Sequence, residues 1–199
     1  MSVLKRSSGF TLPEILVTIT LIGIVLAMAV PIFTSTFNNY FTLQYKNDQF
    51  TNIASQSQRI ANVVRGLSDI NTANANDMDI YAYFYPNDAY VSKINYYLSA
   101  QQDKLYADVT PMTGNPPLGT PITANKKTYT IIDNFNKLSG VNLFEYIDQN
   151  NNNLTLPIAD LDAIKGVRIN LSVRENITAD SGQQTMSLDV SLRNRKTNL

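Results

Sequence analysis

An uncharged apolar run over residues 15–33 constrains the fold of this chain more than any other feature. At about 1.5 Å per residue, a helix over this run would be roughly 28 Å long, close to the hydrocarbon thickness of a bilayer. Glu14 lies at the start of the run, where an unpaired carboxylate costs on the order of a few kcal/mol, less than at the bilayer centre. The run therefore predicts a membrane-spanning helix. The cost of a charge at its start indicates that Glu14 has a function.

The residues before the run are basic and contain a candidate processing site. Lys5 and Arg6 flank the apolar run on its N-terminal side. Because positive residues remain in the cytoplasm, we expect the chain after Phe33 to lie outside. Gly9 directly precedes Phe10, five residues ahead of the carboxylate, and this arrangement indicates cleavage between Gly9 and Phe10.

These features resemble the class III signal peptide of type IV pilins and type II secretion pseudopilins. The pattern of that family is a short basic leader, a glycine, Phe-Thr-Leu-x-Glu and an apolar helix. The positions that match it are Lys5, Arg6, Gly9, Phe10, Thr11, Leu12 and Glu14. Pro13 replaces the more usual aliphatic residue, and Pro31 lies where many pilins have a proline in the first helix.

The resemblance implies a processing and assembly sequence. A prepilin peptidase would cut between Gly9 and Phe10 and methylate the new amine of Phe10. The subunit would wait in the lipid of the cytoplasmic membrane. An inner-membrane assembly platform would then extract it into a filament whose core is a bundle of such helices, with other pilin or pseudopilin subunits as partners. Glu14 would sense the N-terminus of a neighbour, although its pairing with Phe10 of the same chain is also open.

Two other interpretations of the apolar run are open. Ala27, Met28 and Ala29 offer a small-x-small site before Val30, so a signal peptidase could release a secreted or periplasmic binding domain. The run could also be a single-pass anchor that is never processed. Pro13 and Glu14 interrupt the start of an ordinary signal core and favour the pilin-like interpretation. The absence of cysteine excludes a lipoprotein.

Composition argues against catalysis and against nucleic acid as a partner. Sixteen basic and sixteen acidic residues cancel, so the chain has no strong overall field. It contains neither cysteine nor histidine, which removes thiolate chemistry and the commonest general base. No nucleophile elbow, phosphate-binding loop or zinc cluster is present. We therefore expect no enzymatic activity, no cofactor and no nucleic-acid binding.

The helix is predicted to continue beyond the membrane. Residues 1–9 would be the leader, residues 10–33 the membrane and assembly half, and residues 34–67 an amphipathic half with apolar residues at helical spacing. The polar stretch 68–79 is predicted to be a loop. Gly23 and Pro31 weaken the membrane half, so this half is expected to bend or melt locally on leaving lipid, although membrane helices also tolerate both residues.

The C-terminal part, residues 68–199, has the alternation of β-strands. Strands are predicted at 80–85, 90–98, 104–109, 128–132, 141–147, 167–173 and 186–192. A Pro/Gly-rich loop covers 110–126, a helical turn covers 158–165, and a polar turn over 178–184, with Gly182 near its tip, makes the last two strands a hairpin. The expected fold is α+β, with one long helix packed on an antiparallel sheet.

The order of these elements gives a second resemblance. A strand pair, a Pro/Gly loop, the Leu143-Phe144-Glu145-Tyr146 strand, an Asp/Asn turn and two final strands are similar to the larger minor pilins and J-type pseudopilins. Those subunits lie at or near the filament tip. Whether the filament serves motility, adhesion, DNA uptake or secretion stays open.

The segment from Asp148 to Asn152 begins like a calcium-binding loop. Asp148, Asn150 and Asn152 have the D-x-N-x-N spacing. Asn153 stands where such a loop has glycine, and Ala159 stands where it has a bidentate carboxylate. The alternative is a solvated Asx-rich turn whose side chains bind their own backbone, and the missing ligands favour that alternative.

Overall fold

The computed structural model describes residues 9–174 and 182–193. The chain divides into two compact units, Met1–Gln44 and Tyr45–Leu199. One helix, α1 (Leu12–Arg65), contributes to both units. This confirms the prediction of a single long helix that begins near Phe10 and extends far beyond the apolar run.

In the first unit, the described chain beyond residue 11 is α1 alone. Its most apolar 18-residue window has a mean hydropathy of 2.7, and none of that window is buried. The helix is thus long and apolar enough to cross a membrane. Its threonines suit such surroundings because their hydroxyls donate to carbonyls one turn back, as Thr18 does to the Glu14 oxygen at 2.7 Å. Thr20, Thr34, Thr36 and Thr42 make the same bond.

In the second unit, the described residues form two antiparallel sheets. The larger sheet has its strands in chain order: β1 (Asp69–Ala73), β2 (Asp77–Ala82), β3 (Ser92–Leu98), β4 (Leu105–Pro111) and β5 (Lys127–Ile132). The smaller sheet comprises β6 (Phe144–Ile147), β7 (Gly166–Arg174) and β8 (Gln183–Ser191). Two 3-10 turns lie in the connections, at Thr123–Asn125 and Leu161–Ala163.

The core of this unit lies between the last turns of α1 and the inner faces of both sheets. Ile53, Ile60 and Val64 of α1 are buried. They belong to one hydrophobic cluster that includes Ile94 of the larger sheet and Ile169 of the smaller one. Burial of such side chains contributes on the order of 2 kcal/mol each. The α+β fold with a helix packed on antiparallel β structure is confirmed.

Several details of the sequence prediction are wrong. The stretch 68–79 is not a loop, because it contains β1 and the start of β2. β1 is an edge strand in which only Ile70 and Ala73 are buried, so its polar residues remain hydrated and conceal the strand pattern. The β structure also forms two sheets rather than one. The strand predicted at 80–85 ends at Ala82, and the one predicted at 141–147 begins at Phe144.

The structure also describes the end of the helix and part of the last hairpin. The face of α1 that is buried within this chain begins at Ile53, whereas Phe33, Phe37 and Phe50 are exposed, so the amphipathic half over residues 34–67 stays a prediction. The helical turn predicted over 158–165 is a single 3-10 turn. Of the predicted turn 178–184, residues 178–181 lie outside the described residues, and Gln183 already belongs to β8.

Candidate functional site at the N-terminal segment

Gly9 and Phe10 precede the helix and are open to an approaching enzyme. Phe10 is 83% exposed, and α1 begins only at Leu12. A Cβ atom added to Gly9 would meet nothing within 4 Å among the described residues. The described part of the fold therefore does not require glycine at position 9. A requirement for glycine there would come from an enzyme that binds this segment.

Glu14 binds Thr11, the residue directly before the helix. Its Oε2 atom accepts hydrogen bonds from the Thr11 amide at 3.0 Å and from the Thr11 hydroxyl at 2.9 Å. Thr-x-x-Glu is the capping-box spacing, in which the glutamate reaches back to a free amide at the helix start. Pro13 lies in the same first turn, where its missing N–H is not needed.

This contact aims the carboxylate at the start of the helix. Cleavage before Phe10 would produce an ammonium group one residue from Thr11, to which the Glu14 carboxylate is bound. Oε1 of Glu14 has no hydrogen bond from a described residue, so this oxygen could accept one from an N-terminal amine. Such a charge-assisted bond is about twice as strong as a neutral one. The sequence predicted an N-terminal amine as the partner of Glu14 but not Thr11, which the Thr-x-x-Glu spacing could have identified.

Gly23 and Pro31 lie inside the continuous helix. A Cβ atom added to Gly23 would meet nothing within 4 Å, so the described fold of the chain does not require glycine here either. Pro31 has no N–H to donate to the carbonyl of Ala27, yet α1 continues through it. The expected softening of this half during extraction stays a prediction.

The Asp148 loop is a self-bonded turn in this structure. Oδ1 of Asp148 accepts from the Asn150 amide at 2.7 Å and from the Asn152 amide at 2.9 Å. The backbone bond from Asn152 is the main reason that the pKa of Asp148 is lowered. Asn151 turns the chain with a φ of 62°. The geometry agrees with the Asx-turn alternative, in which these donors occupy the carboxylate that calcium would need.

Comparison with known proteins identifies the N-terminal segment. Residues 4–30 match the family model described as the prokaryotic N-terminal methylation motif. No curated protein matches the chain significantly. The motif supports a type IV pilin or pseudopilin type of protein and a substrate of prepilin peptidase, which implies assembly with other pilins. Its apolar helix suits anchoring in the inner membrane before filament assembly.

Proposed function

We propose that this chain, whose N-terminus carries the motif of type IV pilins and pseudopilins, is a structural subunit of a type IV pilus-like or type II secretion filament. Prepilin peptidase removes the segment up to Gly9 and methylates Phe10. The subunit polymerises through its apolar helix, and its β-rich unit lies on the filament surface. The protein acts by assembly and catalyses no reaction.

One combination of observations carries this proposal. An exposed Gly9-Phe10 bond lies near Glu14, which binds Thr11, at the start of a helix whose large apolar side chains over residues 15–33 are exposed within the described chain. Such an exposed apolar helix needs lipid or other helices to cover it. Lipid covers such a helix before assembly, and the neighbouring helices of the filament core cover it afterwards.

The orientation of the chain in the membrane follows from the position of its basic residues. Lys5 and Arg6 remain in the cytoplasm, so the unit beginning at Tyr45 lies on the opposite side of the inner membrane before assembly. After extraction by the assembly platform, the same unit is part of an extracellular or periplasmic filament. We further propose a larger minor pilin or J-type pseudopilin, because the strand meander, the Pro/Gly loop and the second sheet follow the helix in the order of those subunits.

The main rival is a secreted or periplasmic binding domain released after Ala29. The bond between Ala29 and Val30 lies inside α1, where the backbone is helical. Peptidases bind extended chain, so that bond would have to unwind first, whereas the Gly9-Phe10 bond precedes the helix. This difference favours cleavage after Gly9.

Mass spectrometry of the mature N-terminus tests the proposal. The full chain is produced in bacteria with and without a prepilin peptidase. We expect a peptidase-dependent N-terminal peptide that begins at methylated Phe10. A matched Gly9→Val variant should remain uncut, although no atom of the described residues lies within 4 Å of a Cβ at that position. A mature N-terminus at Val30, or an uncut chain in the presence of peptidase, would refute the proposal.

A further inference from the structure

Pro13 limits how far α1 can extend toward the N-terminus. In an α-helix each amide donates to the carbonyl four residues back, so a helical residue 13 would donate to the Gly9 carbonyl. Pro13 has no N–H to donate, and in a continued helix its ring would collide with that carbonyl. This carbonyl belongs to the Gly9-Phe10 bond, at which prepilin peptidase is proposed to cut.

The helix begins where this restriction requires. α1 starts at Leu12, so residues 9–11 precede it. The backbone bond described at this end, of 3.2 Å, runs from the Ile15 amide to the Thr11 carbonyl. Within α1 as it stands, Pro13 costs little, because the first amides of a helix have no carbonyl to bind. One more turn of helix would place the same proline in a helix interior.

The cap at Thr11 does not by itself keep the Gly9 carbonyl free. Glu14 binds the Thr11 amide and hydroxyl, which favours the present helix start. At the edge of a bilayer, however, free backbone groups are costly, and an uninterrupted helix would extend to satisfy them. Glycine at position 9 opposes this extension, but proline in a helix interior costs about three times as much as glycine. Pro13 is therefore the stronger barrier.

The position of the Gly9 carbonyl bears directly on the cleavage chemistry. Hydrolysis adds water across the Gly9-Phe10 bond, so that Gly9 leaves with a carboxyl group and Phe10 begins the mature chain with an amine. Attack on the carbonyl carbon develops negative charge on its oxygen, where an enzyme places hydrogen-bond donors. In a continued helix this oxygen would face the amide of residue 13 instead. A carbonyl outside the helix is therefore the better substrate.

We propose that Pro13 is a positioning residue for this cleavage, which keeps the Gly9 carbonyl out of the helix and open to the peptidase. The inference rests on the proposed function, because it needs a peptidase that cuts after Gly9. Pro13 itself touches none of the reacting atoms. Variants of Glu14 lose the cap but retain Pro13, so the barrier remains in them.

Cleavage kinetics of the full chain by a purified prepilin peptidase, both in detergent micelles, test this role. Pro13→Ala restores the N–H, and we expect kcat/KM to fall about fivefold, because only chains with an unwound first turn are then competent. The change should appear in KM, with kcat nearly constant. Pro13→Gly also restores the N–H but forms helix poorly, so it should be cut nearly as wild type. Pro31→Ala, at the other proline of α1, is the matched control and should be cut as wild type.

A spectroscopic measurement reports on the Gly9 carbonyl itself. The dipeptide Gly-Phe occurs only once in the sequence, at residues 9 and 10. Glycine labelled with ¹³C at the carbonyl and phenylalanine labelled with ¹⁵N therefore give a single carbonyl–amide NMR signal in the uncut chain. We expect this carbonyl signal to move downfield, toward helical values, in Pro13→Ala and to stay in place in Pro31→Ala.

The two measurements separate the inference from the proposed function. Wild-type kinetics of Pro13→Ala, or an unchanged Gly9 carbonyl signal in it, would overturn the inference. Equally slow cleavage of Pro13→Gly and Pro13→Ala would also overturn it and would assign the proline ring to direct contact with the peptidase. Failure of the peptidase to cut the wild-type chain would instead refute the proposed function.

Discussion

Tyr146 of β6 donates a hydrogen bond of 2.9 Å to the carbonyl oxygen of Asn74, which lies between β1 and β2. This bond joins the smaller sheet to the larger one. The adjacent amide of Phe144 donates to the Ala75 carbonyl at 3.0 Å. Tyr146 is completely buried, and this burial is the main reason that its pKa is raised. The neutral phenol is therefore a fixed donor at the junction of the two sheets.

Tyr146→Phe should lower the free energy of unfolding by about 1 kcal/mol, because the part-buried hydrogen bond to the Asn74 carbonyl is lost. Chemical denaturation of the full chain, followed by the circular dichroism of its β structure, measures this difference. Tyr83→Phe is the control, since Tyr83 is 43% exposed and should tolerate the change. Equal stability of the two variants would show that the bond does not hold the sheets together.

The outer face of the smaller sheet should give the protein an acid-sensitive contribution to stability. Arg168 binds Asp189 through two bonds, of 2.6 and 2.9 Å, and these hydrogen bonds lower the pKa of Asp189. A carboxylate with a lowered folded-state pKa stabilises the fold above its unfolded pKa of about 3.9. This stabilisation disappears as the pH falls through the lower, folded-state pKa.

Asp189→Asn should therefore lower the melting temperature at pH 7 and make no difference well below pH 3, where wild-type Asp189 is also protonated. The effect should be small because Asp189 is 57% exposed, and pairs of this kind contribute less than about 1 kcal/mol. Melting curves across this pH range measure it. A difference that persists at acid pH would mean that the substitution acts through packing.

Calcium should not change the stability of the protein, because we expect the Asp148 loop not to bind it. The carboxylate of Asp148 already accepts two backbone amides and, at 3.3 Å, the side-chain amide of Asn152. Asp148→Ala should thus lower the melting temperature equally with and without calcium, because the turn loses its internal acceptor. A rise of the wild-type melting temperature at about 1 mM calcium, absent in Asp148→Ala, would restore the calcium hypothesis.

The N-terminal segment was predictable because its signals are local. The uncharged run after Glu14 and the Gly9-Phe10 pair each lie within a few residues, and they need no tertiary partner to be recognised. The inward and outward alternation of β3 and β7 was predictable for the same reason. In each of these central strands the core covers one face, so the period of two is clear in the sequence.

The remaining features depend on pairing between distant residues. β1 was missed because an edge strand keeps polar residues in water. The division into two sheets depends on which strands pair, as when Phe144 of β6 pairs with Ile169 of β7. Asp79, Asn95 and Asp108 lie side by side on three strands only because of the strand register, and no local pattern states that register.

The connection between β4 and β5 should tolerate a side chain at one glycine and reject it at another. A Cβ atom on Gly119 would lie 1.8 Å from the Gly114 carbonyl oxygen, whereas a Cβ atom on Gly114 would lie 3.5 Å from its nearest neighbour. Gly119→Ala should cost about 1–3 kcal/mol of unfolding free energy because backbone must move. Gly114→Ala is the matched control with little effect. Similar denaturation midpoints for both variants would contradict the close approach.

Variants at Thr11 and Glu14 should separate helix capping from charge in filament assembly. Glu14→Gln retains an acceptor for the Thr11 amide but loses the charge, whereas Glu14→Val loses both. Thr11→Val retains the charge and removes only the hydroxyl bond of 2.9 Å. We expect all three variants to be cleaved and methylated, because Gly9 and Phe10 are unchanged and precede the helix.

Assembly should follow the charge of residue 14. Glu14→Gln and Glu14→Val should both be lost from filaments, while Thr11→Val should be recovered nearly as wild type, since only a charged carboxylate attracts an N-terminal ammonium strongly. Mass spectrometry of the N-terminus and the amount of subunit in filaments sheared from cells measure the two steps. Wild-type recovery of Glu14→Gln with loss of Glu14→Val would assign the role of residue 14 to capping instead of charge.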